Sequence, residues 1–202
     1  MKKKSHEIVG FNVYDFTELV QDWPDSGKLV EIGPFRGRST VAWAEAFEAA
    51  GKDWKIHTIE LFYGASNVNR PQDTSEEFHN FLDTLMCSPE EQKADFIRNI
   101  EGWDNITWEE NYFTEEYKQD GTVDAVFYDG MLQYESVLTA LEYWKQYCNG
   151  SIIVMHNPDN YPGIQNAVDE VFSVDQFKIY KDRKNAEGHD AFPFIEILNS
   201  AT

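Results

Sequence analysis

The segment Lys28-Leu29-Val30-Glu31-Ile32-Gly33-Pro34-Phe35-Arg36-Gly37-Arg38-Ser39-Thr40 constrains the fold more than any other part of the chain. A short apolar strand over 28–32 runs into two glycines four positions apart. From Ser39 onward, apolar side chains at Val41, Ala44 and Phe47 repeat at helical intervals until Gly51 ends the pattern. Gly33 and Gly37 let the backbone turn sharply and approach a ligand closely. Ser39 is placed to cap the helix, whose free N–H groups then face that ligand.

The same alternation continues along the chain. Strands are expected at 56–59 (closing on Glu60), 105–108, 124–128, 151–155, 177–180 and 192–198. Helical stripes include Val137, Leu141, Trp144 and Cys148, and later Ile164, Ala167, Val168, Val171 and Phe172. Ser88-Pro89-Glu90-Glu91 reads as a helix start that Phe96, Ile97 and Ile100 continue. Tyr14 to Trp23 reads as an opening helix, and Phe78, Phe81, Leu82 and Leu85 as another. The pattern predicts one α/β domain over residues 1–202, with about seven strands in a mostly parallel sheet and helices on both faces. Residues 1–27 form a helical lead-in and 64–104 a variable insertion of helix and loop. No helix-length apolar pattern separates the last two strands, so they are expected to be antiparallel.

Composition narrows the function classes. An apolar share of 42% supports a real core, and 17 basic against 36 acidic residues leave a net charge of −19. Such a charge argues against nucleic acid or an anionic membrane surface as partner. No apolar run reaches the ~18 residues of a membrane span, and the start, Met1-Lys2-Lys3-Lys4, lacks the apolar stretch of a signal peptide. Two cysteines, Cys87 and Cys148, are too few for a disulfide framework, which suits a reducing, cytoplasmic setting. A homo-oligomer remains open.

In open α/β sheets ligands bind beyond the carboxyl ends of the strands, and acids stand at several of those ends. The glycine spacing is not G-x-G-x-x-G, since Phe35 occupies the place of the middle glycine. Glu31 repels phosphate and attracts an ammonium group, which favours a ligand with a cationic amino-acid end. Glu60, an acceptor-only group, suits the two hydroxyls of a ribose. Asp129 and the pair His156-Asn157 end two strands expected to be neighbours. Asp129 and Asn157 could supply oxygens to Mg²⁺ or another divalent metal. His156 is the alternative general base. Trp103, Trp108, Tyr112, Phe113 and Tyr117 are candidates to frame an adenine.

Residues 30–40 resemble motif I of class I S-adenosylmethionine-dependent methyltransferases, closest to methyltransferase family 24 and the catechol O-methyltransferase-like branch. Asp129-Gly130, Tyr134-Glu135, the strand 151–155 with His156, and Pro162-Gly163 resemble further family segments. The resemblance runs over about 28–172 and implies a Rossmann-like fold. By it, Gly33 to Gly37 cradle the methionine part of S-adenosylmethionine, Ser39 lies near its carboxylate, and Glu60 holds the ribose. The implied cofactor set is Glu31, Gly33, Phe35, Gly37, Ser39, Thr40, Glu60 and Asp129. Catalysis falls to His156 and Asp129, and a metal to Asp129 and Asn157. Two departures stand out: Leu132 replaces a histidine, and Asn157 replaces an aspartate. The implied activity is O-methylation of a small hydroxylated molecule, a sugar or phenol. The rivals are a non-catalytic scaffold on the same fold and an NAD(P)-dependent oxidoreductase.

Overall fold

The computed structural model describes residues 2–10, 14–65, 80, 83–111, 117–155, 163–181 and 193–198. Seven strands, β1 (Ser26–Ile32), β2 (Asp53–Glu60), β3 (Ile106–Glu110), β4 (Val123–Tyr128), β5 (Cys148–Met155), β6 (Phe177–Tyr180) and β7 (Phe194–Leu198), form one sheet. Their order is β3-β2-β1-β4-β5-β7-β6. The pairs β1–β2, β1–β4, β2–β3 and β4–β5 are parallel; β5–β7 and β6–β7 are antiparallel. The strand order reverses between β1 and β4, which makes that crevice the switch point where a sheet of this kind binds ligands.

Side chains alternate across the sheet and bury both faces. Leu29, Ala125 and Phe127 face one core with α1 (Arg38–Ala49) and α2 (Pro89–Ile100). Val30, Ile32, Val126 and Tyr128 face the other with α3 (Tyr134–Tyr147) and α4 (Gly163–Val171). Two-sided burial explains why the central strands read as near-continuous apolar runs. At the start of α2, Ser88 Oγ accepts from the Glu91 N–H at 3.2 Å. The Glu91 carboxylate in turn accepts from the Ser88 N–H at 2.8 Å. This reciprocal capping is the one the sequence signals. No helix among the described residues is long and apolar enough to cross a membrane.

The opening helix is a correction. Over 14–23 the structure has only a 3-10 turn, Leu19–Asp22. Asp15 Oδ1 accepts from the Thr17 N–H at 3.0 Å, a local bond that competes with a helical one. The Phe16 ring lies flat on Trp43, with centroids 3.6 Å apart and planes 4° apart. This packing holds the segment against α1, where one α-type bond (Val20 N–H to Phe16 O, 3.1 Å) is followed by 3-10 bonds and no regular helix forms. The stripe Phe78, Phe81 and Leu82 lies outside the described residues, while Leu85 is buried.

Phe16 is 2% exposed and touches Trp43, Phe127 and Phe194. Phe16→Ala is therefore expected to cost about 3–5 kcal/mol. Urea unfolding should show a lower midpoint with an unchanged slope; an unshifted midpoint would mean that the segment contributes nothing to the core.

Candidate active site at the switch point

The turn after β1 fits because two glycines occupy left-handed backbone. Gly33 has φ +83° and Gly37 φ +84°. A Cβ on Gly33 would stand 2.5 Å from the Asp129 carbonyl oxygen, so no side chain fits there. The Gly33 N–H donates to Ile59 O at 3.1 Å, and the Asp129 N–H donates to Ile32 O at 2.9 Å. These bonds bring the ends of β1, β2 and β4 together. Phe35 also has positive φ, +52°, which is unusual for a residue with a Cβ. α2 holds this turn from behind: Gln92 Nε2 donates to Phe35 O at 3.2 Å, and Asn99 Nδ2 donates to Arg36 O at 2.8 Å. The Gly64 N–H donates to Gln92 Oε1 at 2.7 Å, so one buried amide joins the turn after β1 to the loop after β2.

A cavity of about 750 Å³ opens at these strand ends. Gly33, Phe35, Glu60 and Asp129 line it, together with residues the sequence did not single out, among them Gln92, Asn111, Tyr128 and Thr139. Gln92 carried a local signal: it sits between Ser88 and Phe96 at helical spacing, which turns an amide toward the core.

Glu31, Ser39 and Thr40 lie elsewhere. Glu31 is wholly buried on the α1 face of β1 and does not line the cavity. Ser39 Oγ donates to its Oε1 and Thr40 Oγ1 to its Oε2, both at 2.5 Å. Ser39 is therefore not the cap of α1; Gly37 occupies that position and offers no side chain. A carboxylate removed from water needs donors, and the hydroxyls one turn into the helix provide them. The three residues brace the turn from beneath. The expected adenine frame also falls away for the described residues: Trp103 and Trp108 pack against the α2-side core, and Tyr117 packs against Tyr143 and Trp144. Tyr112 and Phe113, like His156 and Asn157, lie outside the described residues.

Glu60 accepts three backbone N–H bonds, from Leu61 (2.9 Å) and Phe62 (3.1 Å) at Oε1 and from Phe35 (2.9 Å) at Oε2. A carboxylate has about four acceptor positions, so among the described residues one is left, on Oε2. Burial raises the Glu60 pKa against the pull of these bonds. Asp129 Oδ2 accepts from the Tyr14 hydroxyl at 2.8 Å. Its pKa is pushed up to about 8, first by burial; the Tyr14 bond opposes the rise, and Glu31 and Glu60 add to it. Glu31 is pushed up to about 7, again first by burial, with the Ser39 and Thr40 bonds opposing. Among the described residues no group of three or more His, Cys, Asp or Glu is placed to hold a metal ion. A divalent metal at Asp129 is thus not supported by the described residues, and Asn157, the other ligand the resemblance implies, lies outside them.

The pH dependence follows from these shifts. Between the ordinary carboxyl range and about 7 to 8, the folded protein holds protons on Glu31 and Asp129 that the unfolded chain has released. Stability therefore falls as pH rises through that window. Glu31→Gln should remove part of the slope. Calorimetric melting from pH 5 to pH 8 tests this, and parallel profiles for the two proteins would rule Glu31 out as a source.

The chain matches the model of a methyltransferase domain, methyltransferase family 24, over residues 30–158. No curated protein matches it in sequence. Solved structures share the fold at low identity. The O-methyltransferase TomG from Streptomyces achromogenes, solved in complex with S-adenosylmethionine, is 14% identical (TM-score 0.52; 92% of this chain and 78% of that one covered). An S-adenosylmethionine-dependent O-methyltransferase from Thermotoga maritima is 12% identical (TM-score 0.57; 93% and 64%). An rRNA methylase from Streptococcus thermophilus is 14% identical (TM-score 0.51; 92% and 94%). Since the family model spans more than half of the chain, including the end of β1, the glycine turn, β4 and β5, this protein belongs to methyltransferase family 24.

Proposed function

We propose that the cavity binds S-adenosylmethionine and that the protein methylates a hydroxyl of a small molecule, a phenol or a sugar. The observation that carries this reading is the cradle itself: the side-chain-free turn at Gly33 closes on Asp129, with Glu60 at the next strand end, around one cavity. TomG, with the same fold, was solved with this cofactor. When bound, the cofactor supplies a methyl group already activated on a sulfonium centre. The protein's part is then to bind, orient and move a proton.

The Gly33–Gly37 turn receives the amino-acid end. Glu60 Oε2 accepts one ribose hydroxyl, since its other acceptor positions serve the backbone. Asp129 presents a carboxylate to the acceptor hydroxyl and takes its proton. His156, which follows β5 directly in sequence, is the second candidate for that proton. Ser39, Thr40 and Glu31 support the turn, with Gly37 opening α1. No step is assigned to a metal.

Glu60, Asp129 and Glu135 stand on the cavity wall, and none of its described residues is Lys or Arg. A wall of that sign disfavours phosphate-bearing acceptors, nucleic acid included, and favours neutral or cationic small molecules. Cys87 and Cys148 are both free thiols, which suits the cytoplasm.

Two measurements test the reading. Calorimetric titration should show S-adenosylmethionine binding, weakened about tenfold or more by Glu60→Gln; binding of NAD in its place would overturn it. A panel of phenols and sugars with methyl-labelled cofactor should then give transfer that Asp129→Asn reduces. The rival scaffold role draws on Leu132, which packs against both cores at the position where the family resemblance implies a histidine. Cofactor binding with no transfer to any acceptor would favour it.

A further inference from the structure

Tyr14 and Asp129 lie 115 positions apart in sequence, yet the Tyr14 hydroxyl donates to Asp129 Oδ2 at 2.8 Å. The ring that carries this hydroxyl is fixed by packing. It stacks on Phe16 (centroids 5.8 Å, planes 27°) and meets Phe127 edge-on (6.2 Å, 87°). Phe16 is in turn stacked on Trp43, and Phe127 is the β4 residue two before Asp129. The preceding stretch is tied to α1, to α2 and to the turn after α2. Arg38 Nη1 donates to Gly10 O at 2.8 Å, Trp103 Nε1 to Lys3 O at 3.2 Å, and Lys3 Nζ to Asn99 Oδ1 at 2.7 Å. The N-terminal segment thus delivers one hydroxyl, from outside the sheet, to the end of β4.

We propose that Tyr14 is a positioning residue for Asp129, holding Oδ2 so that Oδ1 is the oxygen offered to the ligand in the cavity. This rests on the reading above that the cavity binds S-adenosylmethionine, with Asp129 on its wall in contact with the cofactor as well as the acceptor. The chemistry of the donor supports it. Glu31 on β1 and Glu60 on β2 act on Asp129 as like charges and disfavour its ionised form. An arginine or lysine would offset them but would also repel a cationic ligand. A tyrosine hydroxyl fixes the carboxylate and favours its ionised form while adding no charge. The aromatic anchoring leaves that hydroxyl little freedom, so its bond to Asp129 costs little further ordering.

A double-mutant cycle on the full chain separates this role from a purely structural one. S-adenosylmethionine affinity is measured by calorimetry for the wild type, Tyr14→Phe, Asp129→Asn and the double variant. Phenylalanine keeps the ring and its packing, and melting curves confirm folding. Tyr14→Phe should weaken binding about tenfold in the wild-type background. In the Asp129→Asn background the same change should alter affinity less than twofold. An equal loss in both backgrounds, or no loss in the first, overturns the proposal while leaving the cofactor reading standing. A wild-type protein that does not bind S-adenosylmethionine overturns both.

Discussion

The backbone of Gly33 passes so close to the Asp129 carbonyl that a Cβ would stand 2.5 Å from it. That contact joins the carboxyl ends of β1 and β4, where the sheet's strand order reverses. It requires glycine twice over, for the absent side chain and for φ +83°. Gly33 also donates to Ile59 at the end of β2. One residue therefore sets the spacing of three strand ends, and Glu60 and Asp129 reach one cavity because of it. Gln92 and Asn99 of α2 then hold the next two carbonyls, those of Phe35 and Arg36. Phe35 at φ +52° carries strain of about 1–2 kcal/mol. Such a conformation persists only where the surroundings fix it, and the α2 amides, together with the Phe35 N–H bond to Glu60, do so.

Much of this was legible in the sequence where burial and chain direction decide the outcome. β1, β4 and β5 are buried on both faces and read as apolar runs. The Ser88-Pro89-Glu90-Glu91 start of α2 and the antiparallel pairing of β6 with β7 also follow from local chemistry. The lead-in did not. Phe16, Leu19, Val20 and Trp23 repeat at helical intervals, but that period reports which residues are buried, not how the backbone bonds. A segment this short has no helix of its own to fall back on, and the stack of Phe16 on Trp43 determines its course.

The site shows a similar division. Glu60 and Asp129 follow from the strand-end rule, Gly33 from the glycine turn and Phe35 from the family resemblance, and all four line the cavity. Glu31 fails that rule by one residue. It precedes the last residue of β1, so the alternation of the strand turns it beneath α1, onto Ser39 and Thr40. Tyr14 and Gln92 act across 115 and 57 positions of sequence. No local pattern encodes such a bond; only the assembled fold brings the partners together.

Two carboxylates, Glu60 and Asp129, line the cavity at the switch point and a third, Glu31, is buried nearby beneath α1; among the described residues every donor to them is neutral. Glu31 is held by two hydroxyls, Glu60 by three backbone N–H groups, and Asp129 by a phenol. Neutral donors satisfy hydrogen bonds without cancelling charge, so Glu60 acts on Glu31, and both act on Asp129, as like charges that add to the burial raising the Glu31 and Asp129 pKa values. An entering cation relieves that repulsion, and the relief is available only to a ligand that carries positive charge. Under the proposed function, that preference suits the cationic sulfonium and ammonium groups of the cofactor, and it follows from which donors the fold places there.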